Sequence, residues 1–288
     1  MIKSSKRITG ISLPVEHFRI HETYKSVDVA SVFEVLRGNL AGYRIREYLP
    51  SDACRRIVHN FWRSEAKVPR FGYGEDGVEG YFIGASHIEK TTDEYLQEAR
   101  MFEDAVKSLF TGTINPIAAF RDTLALEGSG ENMTFRPAKL NGLSAGDAKA
   151  VYWNSLGDFL LQPHEDFAQL KDPRQTDFEI QQARRVMAIN FYAEAPTNSG
   201  QLKLWNIEPD NRSREDLDLT YSGFPYPAEL LEEFPSTIIP VETGDLCVIN
   251  GNLVHAVLRG DPVASAKQRL LITCFTTATD NNEFIWWT

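Results

Sequence analysis

The sequence predicts a mainly β protein with flanking helices, an α+β chain whose core is a double-sheet jelly roll. Three observations carry that expectation. After about residue 133, short apolar or alternating runs succeed one another between turn residues, the signature of an all-β region. Ahead of it lie amphipathic stretches with apolar residues every three or four positions. Within the β region, a His-x-Asp triplet and a distant histidine both fall on strand-like runs.

The helical part is read first. Residues 50–64 offer Ser51 or Asp52 as N-cap, followed by Ile57, Val58, Phe61 and Trp62 at helical spacing. A second helix is expected over 92–110, capped by Thr92, with Leu96, Ala99, Phe102, Val106 and Leu109 on one face. A third is expected over 115–127. Between the first two, PRFGYGEDGVEG is rich in glycine and charge and reads as a loop. Strands are expected near 158–166, 185–193, 200–206, 237–241, 246–250, 253–258 and 269–276, and strands of this number and length make a double-sheet jelly roll. Residues 207–236, with the short helix PAELLEEF, read as an excursion between two strands. With no internal repeat and no Ser/Gly linker, residues 1–288 are expected to form a single catalytic domain. Residues 1–132 would supply the helical support and a substrate loop, and 133–288 the core.

Composition narrows the partners. Of 288 residues, 42% are hydrophobic and 24% charged, as in ordinary globular proteins, and the formal charge is −10. A phosphate backbone or anionic lipid surface would on average be repelled, which argues against nucleic acid and membrane partners. MIKSSKRITGISLP has no apolar run behind its basic residues, and no stretch reaches bilayer-spanning length, so a cytoplasmic protein is expected. Cys54, Cys247 and Cys274 are too few and scattered for a disulfide framework or a Cys-rich zinc site. Cys247 and Cys274 sit in apolar runs and read as small buried hydrophobes.

The chemistry lies in PHED and NLVHAVL. Residues i and i+2 of a strand share a face, so His164 and Asp166 can reach one metal while Glu165 points away. His255 follows 91 residues later in a second strand-like run. Two imidazoles and one carboxylate, with positions left open, suit non-haem Fe(II) and O₂ chemistry. A His-x-Asp triplet alone is a weak signal, and most lone histidines are surface or satisfied core residues. Here the surrounding strands, the turn GDLCVING before His255 and a cation opening the next strand add weight. That cation, Arg269, stands 14 residues after His255, and a planar guanidinium pairs bidentately with the far carboxylate of a dicarboxylate cosubstrate. Thr273 shares its strand face and is expected to support it, while Arg259 is the competing cation.

With His164-x-Asp166, His255 and Arg269-x-x-Ile-Thr-x-Phe in this order, the chain resembles the Fe(II)/2-oxoglutarate dioxygenase superfamily, whose fold is a double-stranded β-helix of jelly-roll type. GYFIGASHIEK, SGQLKLWNIEP and TGDLCVINGNLVH bring it closest to a group that holds the N-succinyl amino acid hydroxylase and the hapalindole-type halogenases. The resemblance implies Fe(II), 2-oxoglutarate and O₂ as cofactor and cosubstrates, with succinate and CO₂ as co-products. In the halogenases of this group glycine replaces the carboxylate ligand and leaves room for chloride. This chain keeps Asp166, so the chemistry implied is hydroxylation of a small molecule: a free or N-acylated amino acid, or a natural-product intermediate.

Further positions are candidates for the rest of the site. Asn154 and Tyr152 precede the ligand strand, where the superfamily often contacts the cosubstrate, although a capped turn explains them equally well. Trp205 reads as core, and Asn206 as a group able to orient a ligand or water. Segment 70–90, with Arg70, Tyr73, Tyr81 and Phe82, is the candidate substrate lid, Arg70 suiting a substrate carboxylate. Two other functions fit a jelly roll: a cupin-like metal enzyme that needs no 2-oxoglutarate, and a binding module without catalysis. A homodimer is the default assembly.

Overall fold

The computed structural model describes residues 6–70, 79–128, 133–153, 159–196, 200–259 and 269–288. Among them, two sheets face each other without closing. The larger runs in the order Ile20–Tyr24, Gly42–Arg46, Leu246–Asn250, Met187–Glu194, Arg269–Ala278, Lys149–Trp153, Gly80–Ile83 and Val68–Pro69. Glu283–Trp287 also pairs with Arg269–Ala278 and carries Thr134–Pro137 beside it. The smaller sheet has the order Phe159–His164, His255–Leu258, Leu202–Trp205, Ser236–Ile239.

Side-chain alternation sorts the large sheet into two cores. Leu270, Ile272 and Cys274 join Ile57, Phe61 and Phe120 of the helices on its outer face. Leu271, Trp153 and Tyr192 join Leu202, Leu204, Ile239 and Val257 of the small sheet on its inner face. Burial on both sides explains why Met187–Ala193 is an apolar run with one inserted asparagine, and not an alternating strand, before Glu194 ends it.

The three expected helices are Ser51–Arg63, Thr92–Ser108 and Pro116–Glu127. Their starts differ in detail from the expectation. Pro50 holds the first cap position with no side-chain hydrogen bond, and Thr91, not Thr92, forms a capping box with Glu94. A fourth helix, Val29–Arg37, was not foreseen, although Asp28 caps it and Gly38, at φ 80°, ends it. All seven expected strands are present, and Gly80–Ile83, read as part of a loop, pairs with Lys149–Trp153 as a further strand.

Segment 207–236 is more than an excursion. Glu208–Pro209 pairs with Gly10–Ile11, Asn211–Asp216 is a short helix, and Leu217, Leu219, Tyr226 and Leu231 pack on Trp205, Val254 and Ala256 behind the small sheet. The three cysteines are free and buried. No helix among the described residues is long and apolar enough to cross a membrane.

Candidate metal centre

His164 ends Phe159–His164, and its partner across the ladder is His255, the first residue of His255–Leu258. The two ring centroids are 4.2 Å apart. Asp166 stands beyond the end of the strand, so hydrogen bonding rather than the pleat delivers it. Its N–H donates to the Gly251 carbonyl at 2.8 Å. A Cβ at Gly251 would lie 2.7 Å from Asp166 Oδ2, so glycine is what lets the turn come this close. One ligand atom from each of the three residues lies within 4.8 Å of the others. Asp166 Oδ1 is 3.9 Å from His164 Nε2, and Oδ2 is 3.6 Å from His255 Nε2, too far for hydrogen bonds.

Each imidazole is fixed by its own backbone. His164 Nδ1 donates to the Gln162 carbonyl at 2.8 Å and His255 Nδ1 to the Leu253 carbonyl at 2.9 Å. A carbonyl only accepts, so Nδ1 carries the proton and Nε2 presents its lone pair to the centre.

Burial holds the His164 imidazole well below its ordinary pKa, with His255 adding to the effect, and lowers His255 in the same way. Burial also pushes the Asp166 carboxyl up to about 7, against the pull of Lys149. Asp166 Oδ2 is buried without a hydrogen-bond partner. Two neutral imidazoles and an orphaned buried carboxylate converging on one point form a donor set that fits a divalent first-row ion, whose charge would restore the carboxylate.

Glu165 points away from the centre, as expected. Its Oε2 accepts from the Phe167 and Ala168 N–H groups at 2.6 and 3.0 Å, and Oε1 accepts from Arg214 Nε at 2.8 Å. Arg214 belongs to helix Asn211–Asp216, so this buried pair fastens segment 207–236 to the ligand strand. Tyr226 N–H donates to the Pro163 carbonyl at 2.8 Å, and Gly223, at φ 59°, accepts from Glu165 N–H. Between them, Phe224 reaches a ring separation of 6.2 Å from His164. Arg214→Leu leaves Glu165 buried and without its cation, an expected loss of about 3–5 kcal/mol. Urea denaturation tests it: the midpoint should fall with the slope unchanged, and an unmoved midpoint would show that the pair contributes nothing net.

Arg269 is 2% exposed on the inner face of the large sheet. Its Cζ lies 4.5 Å from the Trp153 ring centroid and 5.2 Å from that of Tyr192. Nη2 reaches the Tyr192 hydroxyl at 3.5 Å, while Nε and Nη1 have no hydrogen-bond partner among the described residues. An unpaired buried guanidinium is costly, and a carboxylate satisfies it. Arg259, the competing cation, is exposed.

Several sequence expectations need correction. Thr273 does not support Arg269: its hydroxyl donates to Asn190 Oδ1 at 2.8 Å, and the group that touches the guanidinium is Tyr192. Tyr81 faces the helices, stacked on Tyr152 and edge-on to Trp62, because Gly80–Ile83 is a strand and alternate residues take opposite faces. Tyr152 is therefore on the outer side too. Phe82, one residue on, packs into the inner core, and Arg70 places its Cζ 4.7 Å from the Trp153 ring centroid. Asn206 turns its amide to the backbone of Leu13, accepting from the N–H at 2.8 Å and donating to the carbonyl at 2.9 Å. Trp205 is core, as read. Asn154 and Tyr73 lie outside the described residues. Tyr192, Asn190, Lys149 and Phe224 were not singled out. The first two have the strand parity of an inner face, which was a usable signal.

The family model described as carrier-protein-independent halogenase WelO5 matches residues 17–288. An L-isoleucine 3(1)-dioxygenase from Pantoea ananatis (strain AJ13355) is 30% identical over 264 residues, 88% of this chain and 86% of that one. Among solved structures, an N-substituted L-amino acid dioxygenase from Burkholderia ambifaria AMMD superposes with a TM-score of 0.55 at 12% identity, covering 90% of this chain and 91% of that one. Its complex with alpha-KG gives 0.51 at 11% identity, with 90% of each chain covered. The fold is thus shared at a distance where sequence identity is low. The chain belongs to the family described as carrier-protein-independent halogenase WelO5, and with it to the Fe(II)- and 2-oxoglutarate-dependent dioxygenases.

Proposed function

We propose that the enzyme hydroxylates an amino acid, free or N-acylated, with His164, Asp166 and His255 holding Fe(II) and Arg269 holding the distal carboxylate of 2-oxoglutarate. The observation that carries this reading is the Asp166 carboxylate, which converges with both imidazoles; the resemblance implies that a halogenase would have glycine there, with room for a halide. The relative from Pantoea ananatis, named for dioxygenation of L-isoleucine, supports the substrate class. Bound Fe(II) with 2-oxoglutarate supplies the O₂ activation and C–H oxidation, releasing succinate and CO₂.

The chain's own residues do the rest. Backbone carbonyls at Gln162 and Leu253 keep both Nε2 atoms aimed inward. Tyr192 and Trp153 hold the Arg269 guanidinium in an apolar wall, where a charge-assisted pair is strengthened by the low dielectric. Arg70 takes an acidic group of the substrate, and Phe82 and Phe224 provide apolar contact that keeps water from the reacting carbon. In this reading residues 1–288 work as one catalytic unit in the cytoplasm, alone or as a two-fold homodimer.

The test is succinate formation with L-isoleucine and N-acetyl-L-isoleucine, with mass spectrometry of the product. Turnover should need both Fe(II) and 2-oxoglutarate, cease with a chelator, and add one oxygen atom even in excess chloride. Metal-dependent conversion without succinate would favour the cupin-like alternative, and a halogenated product would overturn hydroxylation.

A further inference from the structure

Buried or half-buried arginines elsewhere in the chain meet carboxylates: Arg44 with Asp245, Arg136 with Glu179, Arg185 with Glu208, Arg214 with Glu165. Arg269, Arg70 and Lys149 are different. All three stand on the inner wall of the large sheet, and among the described residues none has a carboxylate within ion-pair distance, although Lys149 and Asp166 attract each other from farther off. Arg269 is taken by the cosubstrate in the reading above, which leaves two cations.

Lys149 has a built setting. It pairs across the ladder with Thr273, which in turn pairs with Asn190. Its Nζ lies 5.8 Å from the Phe275 ring centroid and donates to Ser86 Oγ at 3.0 Å, so two of its three donors stay available. Gly84, at φ 116°, brings its segment against the lysine stem, for a Cβ there would sit 2.9 Å from Lys149 Cβ. The stem is clamped and the ammonium stays in place. Asn190 uses its carbonyl oxygen on Thr273, which leaves the amide donors of its side chain beside the same space.

We propose that Lys149 is a substrate-positioning residue that, with Arg70, seats the carboxylate of the amino-acid substrate on the large-sheet wall facing the metal ligands. This rests on the amino-acid reading of the site and names a residue which that reading does not use. Burial lowers Lys149 to about 8, and Arg70 pushes it further in the same direction. Burial and Arg269 together lower Arg70 to about 10. Three like charges on one wall repel, Arg70 acting on both Arg269 and Lys149, and an anion bound between them removes that repulsion.

The test compares wild type with Lys149→Met, which keeps the stem and removes the charge, and with Lys149→Arg. The probes are L-isoleucine, N-acetyl-L-isoleucine and their methyl esters. Loss of a charge-assisted hydrogen bond in Lys149→Met should raise KM for the free acids on the order of 10- to 100-fold, with KM for 2-oxoglutarate unchanged. Lys149→Arg should retain most of the affinity, and the esters should bind both forms equally. Anaerobic calorimetry of N-acetyl-L-isoleucine should show the same ratio in Kd without turnover. A rise in KM for 2-oxoglutarate instead assigns Lys149 to the cosubstrate, and weaker Fe(II) binding with unchanged substrate KM assigns it to Asp166; either result overturns the proposal. Unchanged constants throughout, or misfolding of both variants, also overturn it, since the side chain would then be structural. If neither amino acid stimulates succinate formation while iron- and 2-oxoglutarate-dependent background turnover persists, the amino-acid reading itself fails.

Discussion

Asp166→Ala or Asp166→Gly is expected to lose most hydroxylation and to bind Fe(II) more than 100-fold more weakly. Altering a group that merely supports a ligand costs about 10- to 100-fold in metal affinity, and removing a ligand should exceed that. Asp166 supplies the only negative charge in the set of three, so its loss also leaves the divalent ion less neutralised. The vacated place is open to an exogenous anion, and trace halogen or azide transfer is the outcome to look for in chloride or azide. Loss of hydroxylation is the decisive part. Glu165 cannot substitute, because both its oxygens are engaged, by Arg214 and by the Phe167 and Ala168 N–H groups. Near wild-type coupled turnover in Asp166→Ala would remove Asp166 from the ligand set.

Arg269→Leu is expected to raise KM for 2-oxoglutarate by roughly 10²- to 4 × 10³-fold while iron binding is retained. A buried carboxylate stripped of its cation costs about 3–5 kcal/mol, and each 1.4 kcal/mol is a factor of ten. Iron should be unaffected, since Arg269 contacts Trp153 and Tyr192 and none of the three ligands. Arg259→Leu, at an exposed position, serves as the control and should leave the constant unchanged. The reverse pattern would transfer the role to Arg259.

What could be read from the sequence and what could not follow a physical divide. Local periodicity found the three helices and seven strands, because apolar spacing records which face is buried whatever lies opposite. Gly42–Arg46 escaped notice because Arg44 makes GYRIR look exposed; it is buried only because Asp245, 201 residues away, accepts its charge. Helix Val29–Arg37 did carry its signals, a capping Asp28 and a terminating Gly38, and was legible. The convergence of His164, Asp166 and His255 was legible because metal binding demands particular residue types at particular spacings. Asp166 does stand beside the two histidines, but Gly251 and not the strand pleat positions it. Lys149 was illegible because its place beside Thr273 arises from strand pairing, which no local pattern reveals, whereas the inner-face parity of Asn190 and Tyr192 was there to be read. Tyr81 and Phe82 show how much hangs on one register: the neighbouring aromatics separate to opposite sides once their segment is a strand.

The two imidazoles share a feature that bears on how this centre tolerates genetic drift. In each, the proton-bearing nitrogen is held by the carbonyl of the residue two places earlier, at Gln162 and at Leu253. Many metal sites assign that duty to an aspartate or glutamate side chain, which a single nucleotide change can erase. Here every amino acid supplies the same carbonyl, so substitution at 162 or 253 leaves the acceptor in place as long as the strand keeps its path. For the proposed iron site the mutable target is correspondingly small: His164, Asp166 and His255, the glycine at 251 against which Asp166 rests, and backbone breakers such as proline near either histidine. Side chains around the centre can therefore be exchanged, at 162 and 253 included, while the orientation of the two imidazoles is kept by the backbone alone.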